Sequence, residues 1–85
     1  MSEQFIMDGC TYYYTHDDEV EGFENFERVV VTDCEDEYVG EVELLHNSEC
    51  ANVRRDNGDV DGVNYFEFSQ HSHEFIARWI VGTSY

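Results

Sequence analysis

Twenty aspartates and glutamates stand against four arginines and no lysine, a formal net charge of −16 on 85 residues. Any fold this chain adopts has to hold that charge in a compact shape. Self-repulsion of this size opposes compaction, so a protein that carries it either uses the charge or lives where salt screens it. The chain sets against it 41% hydrophobic residues, including six Tyr, six Phe and one Trp. These are side chains large enough to fill a small core. A core of this size buries only about 60% of the surface that the unfolded chain exposes. The expectation is one globular domain over residues 1–85 with a thin stability margin.

The charge also excludes functions. Binding nucleic-acid phosphates takes Lys and Arg to displace counterions, so direct nucleic-acid binding is not expected and the natural partner is basic. No apolar run approaches the ~20 residues that span a bilayer, so no membrane association is expected. The first residues, MSEQFIMDGC, lack both a basic stretch and an apolar run. Cys10, Cys34 and Cys50 are odd in number and show no Cys-x-x-Cys spacing. Both observations fit a reduced, cytoplasmic setting.

Local patterns indicate the elements. Asp8-Gly9 between Gln4–Met7 and Thr11–Thr15 reads as a two-residue hairpin. Residues 17–25, DDEVEGFEN, read as an acidic loop pinned by Phe23. Phe26–Asp33 is β-branched at its centre, as a strand covered on both faces would be. Tyr38–His46 alternates, with Tyr38, Val42 and Leu44 on one face and Glu37, Glu41 and Glu43 on the other. Residues 47–55 are ambiguous, with Cys50 and Val53 able to sit on one side of a short helical turn, residues 56–62 read as loop, and Val63–Phe68 as a further strand. From Ser72 the period becomes helical: Phe75, Ile76, Trp79 and Ile80 form a stripe, Ser72 is placed to cap and Gly82 to stop. The expected fold is α+β, a four- to five-stranded mainly antiparallel sheet with one C-terminal amphipathic helix.

The charges group along this framework. Strand residues two apart stand about 6.6 Å apart on one face, so Glu37, Glu41 and Glu43 would form a line of anions resembling a phosphate backbone. Asp17, Asp18, Glu19, Glu21 and Glu24 before the central strand, and Glu35 and Asp36 after it, would widen that line into a partner-binding surface. Tyr13, Phe23 and Tyr38 are the candidates for aromatic contacts within it, since tyrosine pairs apolar area with a hydroxyl at low entropic cost.

Other chemistry finds less support. Asn57, Asp59, Asp61, Gly62 and Glu67 resemble an EF-hand calcium loop, but the loop is one residue short and begins with Asn instead of Asp. His16, His46, His71 and His73 lack the paired short spacings of structural zinc sites. No catalytic signature appears, so neither an enzyme, a cofactor nor a metal is expected.

In size and charge over the whole chain, the sequence resembles phage-encoded acidic DNA mimics that block restriction enzymes, CRISPR effectors and other nucleic-acid-binding proteins. The resemblance implies an inhibitor that occupies the basic DNA- or RNA-binding surface of a bacterial defence protein, in the host cytoplasm, and it is compatible with a homodimer. It carries over no family site residues. The alternatives are an acidic adaptor or calcium-binding domain, or an ordinary domain from a high-salt organism.

Overall fold

The computed structural model describes residues 2–17 and 26–83. Six strands, β1 (Ser2–Met7), β2 (Cys10–Asp17), β3 (Phe26–Asp33), β4 (Tyr38–Leu45), β5 (Cys50–Arg55) and β6 (Val60–Val63), are followed by α1 (Tyr65–Phe68) and α2 (His73–Thr83). The strands form one sheet in sequence order, every neighbour antiparallel. The α+β class and the C-terminal helix are as expected. Among the described residues the strand count is six, and a second, one-turn helix is present.

The N-terminal hairpin follows from its turn. Asp8 and Gly9 both have positive φ, 53° and 79°, the pair of left-handed conformations that matches the twist of a two-residue hairpin. Cys50–Arg55, the ambiguous stretch, is strand β5. The expected loop at 56–62 contains strand β6, because Asn57 Oδ1 accepts the Asp59 N–H and Gly58 takes φ 91°. That turn folds Val60–Val63 back onto the β5 edge. The predicted strand Val63–Phe68 gives way to α1, since Asn64 Oδ1 accepts the Glu67 N–H and so caps a helical turn. The calcium-loop pattern is therefore divided among a turn, a strand and a helix.

One face of the sheet is covered by α2. Phe5, Tyr12, Val29, Val31, Val42, Leu44, Ala51 and Val53 pack with Phe68 of α1 and with Ile76, Ala77, Ile80 and Val81 of α2 in a single core. The Ser72 hydroxyl accepts the Phe75 N–H at 3.2 Å and caps α2 as expected. The buried stripe is 76, 77, 80 and 81, so Phe75 is left exposed. Gly82 does not stop the helix, which continues to Thr83. Gly40 lies directly beneath α2: a Cβ there would stand 2.9 Å from the Arg54 carbonyl oxygen and 3.0 Å from Ile80 Cγ2. Among the described residues, no helix is long and apolar enough to cross a membrane.

Candidate functional site

In a sheet whose strands run in sequence order, alternate turns emerge at opposite ends. The β1–β2, β3–β4 and β5–β6 turns share one end, and they carry Asp8, Glu35, Asp36, Glu37, Asp56 and Asp59, all exposed. None of the six has a salt bridge among the described residues. Glu35, Asp36 and Glu37, expected from the sequence, are thus joined by three carboxylates that were not. The β3–β4 turn is fixed by Asp33, whose Oδ1 accepts the N–H groups of Glu35 and Glu37 at 2.8 and 3.0 Å.

One recess opens at this end, and a second reaches it along the sheet face. The first, about 260 Å³, is lined by Tyr12, Asp33, Glu37, Tyr38, Val39, Asp56 and Val81. The other, about 520 Å³, lies on the uncovered sheet face and brings Tyr13 beside Asp36 and Cys34. Strand alternation sends Tyr13 to that face while Tyr12 and Tyr14 pack with the core.

The line of anions on β4 differs from the expected one. Glu37 belongs to the turn, because β4 begins at Tyr38. Tyr38 stands on the side of Glu41, to which its hydroxyl donates at 2.8 Å, and not on the opposite face. The cause is a bulge: Thr32 pairs with Tyr38 and Val31 with Gly40, which leaves Val39 as an extra residue and reverses the alternation. Burial, followed by the Glu41 carboxylate, pushes the Tyr38 hydroxyl above its ordinary pKa.

Glu41 and Glu43 are also partly neutralised. Glu43 pairs with Arg54, Glu41 lies 3.8 Å from Arg28, and Arg28 also holds Asp17 at 3.1 Å. The side chains of Glu41 and Glu43 are only 15% and 16% exposed, so these residues act as sheet-face ion pairs and not as bare charges. Asp18, Glu19, Glu21, Phe23 and Glu24 lie outside the described residues.

At the opposite end of the sheet, on the helix-covered face, three histidines converge on Glu27. The register places them there. His16 pairs with Val29 and Glu27 with Leu44, so His16 and His46 flank Glu27 diagonally, within reach of long side chains. His73 opens α2 above them. His16 Nε2 donates to Glu27 Oε1 at 3.0 Å, His46 Nε2 donates to Oε2 at 2.5 Å, and His73 Nε2 lies 3.7 Å from Oε1. A carboxylate only accepts, so His46 Nε2 is the donor to Glu27, and a hydrogen bond between His46 Nδ1 and the Tyr65 hydroxyl extends the chain. Burial acts to raise the Glu27 pKa, but the hydrogen bonds from His46 and His16 outweigh it and hold the carboxyl below its ordinary value.

The His16 and His73 rings stack with centroids 3.7 Å apart. His71, in contrast, stacks on Phe75 and takes no part in the cluster. Sequence spacing could not show this site, because its members are separated by 11 residues or more and only strand register brings them together. The one signal available was histidine at strand ends. Comparison of the chain with protein-family models, with curated proteins and with solved structures finds no match.

Proposed function

We propose that this protein is an acidic nucleic-acid mimic: it binds the basic, nucleic-acid-binding surface of another protein, foremost a bacterial defence complex, and competes there with DNA or RNA. The observation that carries the reading is the set of exposed carboxylates on three neighbouring turns at one end of a rigid sheet, in a chain with net charge −16. Adjacent strands lie about 4.8 Å apart, so turns joining alternate strand pairs stand roughly 10 Å apart. That spacing falls within the about 6 to 12 Å widths of the DNA grooves. Charges held on such a frame offer cationic side chains a pattern like that of phosphates across a groove.

The smaller recess adds chemistry to the pattern. Asp33, Glu37 and Asp56 surround it together with Tyr12 and Tyr38, which suits one Lys or Arg side chain taken up by carboxylates and aromatic rings. Association driven by such a surface is fast and falls steeply with salt.

The test is competition. The protein is immobilised, a bacterial lysate containing restriction and CRISPR systems is passed over it, and bound proteins are eluted with duplex DNA. The reading expects DNA- or RNA-binding proteins to be released by the oligonucleotide, and to be lost when Asp36, Glu37 and Asp56 are replaced by lysine. Retention that survives both the competitor and the triple replacement contradicts it.

A further inference from the structure

We propose that His16, Glu27 and His73 form a binding site for a first-row divalent transition metal such as zinc, with His46 as a positioning residue. The ligand atoms of the three lie within 4.8 Å of one another, the one such group of His, Cys, Asp and Glu among the described residues. Metal–ligand bonds of about 2.0–2.1 Å in a tetrahedral site put neighbouring ligand atoms about 3.3 Å apart. The Glu27 carboxylate stands 3.0 Å from His16 Nε2 and 3.7 Å from His73 Nε2, on either side of that value. The donor atoms are thus already at near-ligand spacing, and closing the site on an ion takes rotation of the two imidazole rings.

Two imidazoles and one carboxylate favour zinc, iron, nickel or copper over calcium and magnesium, which take all-oxygen sites. The remaining parts of the cluster serve an ion as well. His46, tethered by Tyr65, holds the second oxygen of Glu27 and so orients the ligand oxygen, as outer-shell partners of metal ligands do. The ligand side chains are 25%, 29% and 38% exposed, so an ion can enter from solvent and three protein ligands leave a coordination position open to water.

Binding carries a structural consequence. An ion in the plane of one stacked ring would lie well out of the plane of the other, so the His16 and His73 rings must leave their stack. His16 also shifts its ring proton from Nε2 to Nδ1 to free the lone pair. The site is at the opposite end of the sheet from the acidic turns, so this proposal stands or falls independently of the mimic reading.

The exposed thiols of Cys10, Cys34 and Cys50 would also take zinc, so the experiment uses the variant with all three replaced by serine. Zinc is titrated by calorimetry in excess magnesium, which occupies non-specific carboxylate sites. We expect one ion per chain, a loss of affinity greater than about a hundredfold in His16→Ala and in His73→Ala, and a loss of about 10- to 100-fold with unchanged stoichiometry in His46→Ala. Circular dichroism of each metal-free variant confirms that it remains folded, and His73→Gln gives a milder change at the same position. Nitrogen-15 NMR of the histidine side chains should report metal on Nε2 of His16 and His73. Absence of binding by the parent protein, or zinc affinity unchanged in folded His16 and His73 variants, overturns the proposal.

Discussion

Glu27 accepts hydrogen bonds from two histidines, with a third close by. Replacing it with Gln leaves the His16 and His46 donors without their charged acceptor, and because the group is partly exposed the cost should be about 1–2 kcal/mol at neutral pH. The sign with pH follows from the depressed carboxyl. A group whose folded pKa lies below its unfolded value stabilises fully above the unfolded value, here 4.5, and loses that contribution as pH falls through the folded pKa. Urea unfolding at pH 7 and at successively lower pH should therefore show the Glu27→Gln deficit shrinking below about pH 4.5. A deficit constant across that range would mean that Glu27 acts by packing and not by charge. Gly40 makes a second point at this scale. With a backbone oxygen and Ile80 Cγ2 within about 3 Å of an added Cβ, Gly40→Ala should destabilise by about 1–3 kcal/mol through overpacking, read as a lower urea midpoint.

Among the elements, α2 and the β3–β4 pair carry the core. Ile80 is fully buried between them, and Ile80→Ala should cost about 2–5 kcal/mol, a large share of the roughly 4–13 kcal/mol available to a chain of this length. Ser72→Ala, which removes only a cap, should cost about 1 kcal/mol. Equal midpoint shifts for the two variants would show that the helix is not held by its buried stripe. The elements that could be read from the sequence are those with local causes: the Asp8-Gly9 hairpin, the β-branched Phe26–Asp33 and the Ser72-capped helix. Those that could not are short and set by tertiary context. Asp61 and Gly62 are poor strand formers and enter β6 only because the β5 edge pairs with them. The aromatic alternation over Tyr65–Phe68 imitates a strand, and the Asn64 cap overrides it. The candidate sites divide in the same way. The run Glu35–Glu37 is visible in the sequence, whereas its grouping with Asp8, Asp56 and Asp59 at one end of the sheet, the neutralisation of Glu41 and Glu43 by Arg28 and Arg54, and the meeting of His16, Glu27 and His73 depend on strand order and register.

At the scale of the whole molecule, a charge of −16 opposes folding, so the melting temperature should rise with added salt. Screening is nearly complete by about 1 M, where the Debye length is near 3 Å, and the gain should level off below that concentration. A melting temperature still climbing through several molar salt would favour a high-salt habitat as the origin of the acidity. Binding should depend on where the charge sits. Lysines at Glu35, Asp36 and Glu37 should abolish partner capture, while Glu74→Lys, at the start of α2 and away from the acidic turns, should leave most of it. The most direct test of the central claim is to measure how duplex DNA competes with the immobilised protein for a captured nucleic-acid-binding partner. The account predicts mutually exclusive binding, lost on charge reversal at the three acidic turns. Simultaneous binding of DNA and this protein to the same partner would contradict it.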